Sequence, residues 1–162
     1  MFTTIAWATD GSPSSLGALP PVKALAHAVG AEVVIIHVQE VTISRGGFLA
    51  EDNRVVSRAL RHAVRQLQDD GLHATVLGSE SIARDVPQRI LELAESVHAS
   101  VLVVGNRGYG AFVNLLLGSV AARLLQTARI PVVMVPLRSD AETATADAED
   151  RAGREIHSLL PT

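Results

Sequence analysis

Three glycines and an aspartate stand where this chain could hold a phosphate. Gly105-Asn106-Arg107-Gly108 follows an apolar run, and nine residues later Gly118-Ser119 opens a helical stretch. Two closely spaced glycines let backbone N–H groups converge with no β-carbon in the way. A further glycine at a helix start permits close approach to its N-terminus, where unpaired N–H groups and the helix dipole favour an anion. Ser119 could add a hydroxyl donor or simply cap its own helix. Arg107 could reach a phosphate or point into water. Asp10 follows an earlier apolar run and could hold a ribose hydroxyl or a phosphate-bound Mg2+, although Asp10-Gly11-Ser12 is also a common turn sequence.

Other chemistries find little support. The six histidines, at 27, 37, 62, 73, 98 and 157, show no paired-ligand spacing, and His37 reads as a hydrogen-bonded core or pocket residue. Absence of cysteine removes disulfides, thiol catalysis and Cys-based zinc sites. No Walker A sequence is present and no lysine follows the glycines, so the point charge of fast NTPases is missing. Ser12, Ser14 and Ser15 read as helix-start residues, and Glu92 with Glu95 as a solvated helix face. No general base can be assigned, so efficient catalysis does not follow from these residues.

The elements that must position Asp10 and the glycines alternate along the chain. Short apolar strands are expected at residues 3–9, 31–38, 73–77, 100–104 and 130–135. Helices are expected at 14–29, closed by Gly30; at 51–70, with Val56, Leu60, Val64 and Leu67 on one stripe and Gly71 as the stop; at 85–98, with Pro87 in the first turn; and at 119–127. Residues 39–50, which include Gly46-Gly47, read as a longer loop. Pro131 places the last strand at a sheet edge or marks its start. Right-handed crossovers then give an α/β fold: an open five-stranded parallel sheet of order 3-2-1-4-5 with helices on both faces. The direction of winding reverses between strands one and four. Ligands of such sheets bind at the carboxyl ends of the strands flanking that point, and those ends are Asp10 and Gly105.

Composition sets the remaining bounds. A length of 162 residues suits one core domain, and 48% hydrophobic residues with only 3% aromatics imply thin aliphatic layers. Fourteen basic against seventeen acidic residues give a formal charge of -3. Arg54, Arg58, Arg61 and Arg65 recur at helical spacing and read as a solvated face or, in the minority reading, a surface for an acidic partner. Nucleic acid is therefore not the expected ligand. No apolar run reaches the roughly 18 residues of a bilayer span, and residues 1–4 lack signal-peptide features. A cytoplasmic protein that does not enter membranes is expected. Residues 1–137 form the expected domain. Residues 138–162 form a polar, acidic tail, either disordered or weakly helical over 149–160 with a break at Gly153.

At these residues the chain resembles the universal stress protein family. The pattern G-x2-G-x9-G-S is filled at Gly105, Gly108, Gly118 and Ser119. Its surroundings are similar too: ATDGSPSS after strand one, HV ending strand two, VLVVGNRG, and LLLGSVAARLLQTARIPVVMVP. The resemblance covers residues 2–136 and implies a homodimer paired through the last strand, near Val132 and Val135, with ATP as the ligand. It implies that Asp10 contacts ribose or phosphate, directly or through Mg2+, and that Val38 receives adenine through its backbone. Gly105, Gly108, Gly118, Ser119 and Val120 would surround the phosphates, with Ala8, Thr9, Val104 and Arg107 completing the candidate nucleotide-binding set. The chain departs from the family pattern at residues 82–87 and at Ser100. Trp7 is large for a first strand and could be core or could wall the adenine pocket.

Three functions follow as expectations. The first is an ATP-binding regulatory protein of the stress response, with occupancy read by an unidentified protein partner. The alternative is a slow Mg-dependent ATP hydrolase or nucleotidyl-transfer enzyme with Asp10 holding the metal. The third is an interaction module in which the glycines only shape a turn.

Overall fold

The computed structural model describes residues 3–44, 47–50, 54–106 and 117–136. Its elements in chain order are β1 (Thr4–Ala8), α1 (Pro13–Leu16), α2 (Leu19–Val29), β2 (Glu32–Ser44), β3 (Gly47–Ala50), α3 (Arg54–Asp69), β4 (Ala74–Ser81), α4 (Val86–Ser96), β5 (Val101–Gly105), α5 (Ser119–Thr127) and β6 (Val132–Val135), with a short 3-10 turn at Ala83–Asp85 before α4.

Five strands form the parallel sheet in the order β4-β2-β1-β5-β6. With the hairpin strand β3 set aside, this is the expected order 3-2-1-4-5. Successive side chains of a strand face opposite ways, and the core divides accordingly. Ile5 and Trp7 of β1 join Val33 and Ile35 of β2 against α2 and α3, through Val22, Leu60 and Leu67. Ala6 and Ala8 join Val34, Ile36, Leu102 and Val104 against α4 and α5, through Ile90, Leu91 and Leu124. Leu60 and Leu67 of the expected α3 stripe are buried, and Val56 and Val64 pack on their margin.

Several boundaries differ from expectation for local reasons. The first helix is two: α1 ends at Leu16, and α2 begins at Leu19 with Pro20 at N2 and Pro21 directly after it, both in the first turn. Proline lacks the N–H a continuing helix needs but suits a first turn. Gly30 closes α2 in the left-handed conformation, φ 65°. Residues 39–44 and 47–50, expected within a loop, are strand. β2 continues to Ser44, and β3 pairs with it antiparallel from Val41↔Ala50 to Ser44↔Gly47. The run Val41-Thr42-Ile43 is rich in β-branched residues, which suit a pleated ribbon. β4 is lengthened with it, pairing as far as Glu40↔Ser81. Pro131 does precede an edge strand, and its carbonyl accepts from Leu102 N–H at 2.9 Å. The tail, residues 138–162, lies outside the described residues.

Candidate functional site

The site begins where β1 leaves the sheet. Asp10-Gly11-Ser12 forms a side-chain-closed turn, in which Asp10 Oδ1 accepts from Ser12 N–H at 3.0 Å and from Ser12 Oγ at 2.7 Å. Such an Asx turn satisfies backbone donors that no strand or helix reaches. Ser12 Oγ accepts from Ser15 N–H at 3.1 Å, and Ser15 Oγ lies 2.7 Å from Thr9 Oγ1. Thr9 Oγ1 also accepts from Gly11 N–H at 3.1 Å. Thr9, Ser12 and Ser15 are buried, so this network holds the Asp10 turn rigidly. Ser12 and Ser15 thus serve the helix start, as expected of them.

The second half of the site comes from β5 and α5. Gly105 is the last residue of β5 and lies opposite Val135 of β6. One residue on, Asn106 N–H donates to Val135 O at 3.0 Å, while Asn106 O accepts from Gly118 N–H at 2.8 Å. The two stems of the glycine segment are therefore joined, and α5 begins beside the carboxyl end of β5. Gly118 is the N-cap, with φ -70° and ψ 155°, and as a glycine it supplies no side-chain cap. Ser119 is in the first helical turn and exposed. It is therefore not the N-cap residue. The first N–H groups of a helix have no intrahelical acceptor, and α5 starts one residue after the Gly118 N–H that is bonded to Asn106 O. Arg107 and Gly108 lie outside the described residues.

Register joins the two halves. Ala8 is opposite Ile36 on one side and Val104 on the other. Ala8, Val104, Val38 and Val120 all contribute to the core layer beneath α4 and α5. Of the expected set, the structure brings Ala8, Thr9, Asp10, Val38, Val104, Gly105, Gly118, Ser119 and Val120 to the carboxyl end of the sheet. Trp7 is not a pocket wall. It is fully buried on the opposite face of β1, in the layer under α2 and α3.

Two contacts escape sequence reasoning, although the burial and hydrogen bonding of His37 are as expected. His37 is buried, and its Nδ1 lies 3.0 Å from Thr9 O. Arg89 of α4 donates through Nε to Ser79 Oγ at 2.8 Å, and Ser79 is the register partner of Val38. No spacing in the chain announces either contact, because each joins elements set beside one another by the sheet. Glu92 is exposed, as expected. Hydrogen bonds from Arg89 and then Gln88 hold its carboxyl below the ordinary range.

Among the described residues no group of three His, Cys, Asp or Glu side chains could hold a metal ion. A cation here would need oxygen ligands from a bound phosphate beside the Asp10 carboxylate, a division of ligands usual for Mg2+. No helix among the described residues is long and apolar enough to cross a membrane.

A parallel 3-2-1-4-5 sheet with polar turns gathered at its switch point is a Rossmann-like α/β domain. Within that class the chain belongs to the universal stress protein family, whose family model matches residues 1–136. Curated relatives include a universal stress protein of Thermus aquaticus, 31% identical over 140 residues that make up 83% of this chain and 99% of the relative. Another, from Methanocaldococcus jannaschii, is 29% identical over 83% of this chain and 82% of its own length. Among solved structures, a universal stress protein in complex with cAMP is 26% identical, with TM-score 0.64 over 85% of this chain and 98% of that one. The universal stress protein of Archaeoglobus fulgidus in complex with dAMP shares the fold at TM-score 0.62 and 22% identity, over 82% of this chain and 97% of that one.

Proposed function

We propose that this chain is an ATP-binding universal stress protein acting as a nucleotide-dependent regulator in a stress response. One observation carries the reading: the 2.8 Å bond from Gly118 N–H to Asn106 O, which sets the start of α5 at the end of β5. A helix N-terminus and a glycine-flanked turn at a topological switch point favour a phosphate ligand. The cAMP complex of the 26% identical relative supports an adenine nucleotide as its class.

In this reading Val38 receives adenine through its backbone, beside Ala8, Thr9 and Val104. Asp10 takes the ribose or a nucleotide-borne Mg2+. Gly105, Gly108, Gly118, Ser119 and Val120 surround the phosphates, with Arg107 as a further donor. Residues 1–137 are the working domain and 138–162 an appendage. The protein works in the cytoplasm as a homodimer through the β6 edge, where Val133 is 40% exposed, and a protein partner reads nucleotide occupancy. It engages neither nucleic acid nor membrane.

Calorimetric titration with ATP and AMP, with and without Mg2+, tests the reading when followed by chromatography of the mixture. Micromolar ATP affinity with intact nucleotide recovered is the expected result. No binding overturns the reading. Metal-dependent release of ADP or AMP that Asp10→Ala abolishes would replace it with the enzymatic one.

A further inference from the structure

Five polar side chains are buried among the described residues, and four of them (Thr9, Ser12, Ser15 and His37) gather where β1 leaves the sheet. The consequence reaches the neighbouring strand. In β2 the peptide groups of alternate residues are directed at alternate neighbours. Glu32 N–H donates to Thr3 O at 3.1 Å and Ile36 O accepts from Thr9 N–H at 3.0 Å, both toward β1, whereas Val33 N–H donates to His73 O at 2.9 Å, toward β4. Even-numbered residues of β2 therefore face β1, as a parallel ladder with two neighbours requires. Val38 belongs to that series.

The ladder's next two rungs would run from Val38 N–H to Thr9 O and from Gly11 N–H to Val38 O. Neither is made. Pairing of β1 with β2 stops at Ala8↔Ile36. Thr9 O accepts instead from His37 Nδ1 at 3.0 Å, and Gly11 N–H donates instead to Thr9 Oγ1 at 3.1 Å. A carbonyl only accepts, so this bond assigns the His37 proton to Nδ1. His37 Nε2 is buried and has no partner among the described residues, so the Thr9 bond is the one that anchors the ring.

We propose that His37 is a positioning residue for the nucleotide base: by taking over the Thr9 carbonyl it releases the Val38 peptide from the β-ladder, so that its N–H and C=O can read the edge of adenine. The inference rests on the nucleotide-binding reading above and deepens it. An in-plane N–H beside a C=O matches a ring nitrogen acceptor beside an amino donor, which is the pairing edge of adenine. A 6-oxo purine presents the reverse pattern and is refused.

Amide exchange tests the open rungs without any ligand. In the wild-type protein the Val38 amide should exchange far faster than that of Ile36. In His37→Leu the Thr9 carbonyl recaptures Val38 N–H, and Val38 becomes protected. ATP affinity of His37→Leu should fall about tenfold, and the preference for ATP over ITP should shrink by a similar factor. Inorganic tripolyphosphate should bind both proteins alike. His37→Asn places an amide N–H at the same number of bonds from the backbone and should restore both the exchange pattern and the preference. A Val38 amide as protected as Ile36 in the wild type overturns the proposal, and so does an ATP-to-ITP ratio unchanged in His37→Leu. If His37→Leu does not fold, failure of His37→Asn to keep the wild-type pattern overturns it. Wild-type protein that binds neither nucleotide overturns the functional reading, while the exchange data decide separately whether His37 opens the rung.

Discussion

Gly11 and Val56 touch across the gap between the Asp10 turn and the first turn of α3: a β-carbon placed on Gly11 would stand 2.5 Å from Val56 Cγ1. Gly11 also holds φ 76°, a conformation that side chains other than glycine rarely adopt. The turn that presents Asp10 is thus shaped from both sides, by its own hydrogen bonds and by a helix resting on it.

Gly11→Ala should accordingly cost about 2–4 kcal/mol, the sum of left-handed strain and overpacking. Thermal unfolding is the measurement. Pairing it with Val56→Ala in a double-mutant cycle should return the packing share and leave the backbone share. Strict additivity of the two changes would contradict the contact.

Thr9→Val preserves shape but deletes the hydroxyl that meets Ser15 Oγ and accepts from Gly11 N–H. Gly11 N–H loses its acceptor while Ser15 Oγ keeps its bond to Ser12 O at 3.1 Å, so the cost is about 1–3 kcal/mol for the one buried donor left unsatisfied. Urea unfolding should show a lower midpoint with an unchanged slope, and Thr9→Ser should recover most of the loss.

Gly118 has an ordinary extended conformation, φ -70° and ψ 155°, so its backbone does not require glycine. Gly118→Val should leave the melting temperature within a few degrees and weaken ATP binding by at least about tenfold. Unchanged affinity would place the phosphates elsewhere.

His98 follows α4 with φ 52°, the one positive value outside glycine among the described residues. It is exposed and its ring is not needed for packing. His98→Gly should stabilise the protein by roughly 0.5–1 kcal/mol, because relief of the left-handed strain exceeds the entropy glycine adds to the unfolded chain.

Glu92 supplies a pH-dependent test. Its carboxyl is lowered from the ordinary value by hydrogen bonds from Arg89 and Gln88. A folded value below the unfolded one means that its contribution is present above the ordinary carboxylate range and disappears as pH falls through the lowered folded value. Carbon-detected NMR titration should place its midpoint below that of an unstructured glutamate. Arg89→Met should move it upward.

The order of the five parallel strands, the two-sided core and the adjacency of β1 and β5 that brings their carboxyl ends together were legible in the chain. Strand and helix periodicity is local, and handedness leaves few ways to wind five such units. G-x2-G-x9-G-S and the Asp10 turn could be read for the same reason, since each needs particular residues at fixed spacing. The hairpin of β2 and β3 was readable in principle from Val41, Thr42 and Ile43 but was masked by the polar residues around them. Tertiary structure alone decided the rest. Trp7 turned out to be core because strand alternation puts it opposite Ala8, and which face of β1 lay nearer the site depended on where the helices packed. The roles of Gly11, His37 and Arg89 follow from distances to Val56, Thr9 and Ser79, residues 45, 28 and 10 positions away in the chain. No propensity carries such information, because a hydrogen bond between elements depends on register and level in the sheet, which exist only once the strands have been laid side by side.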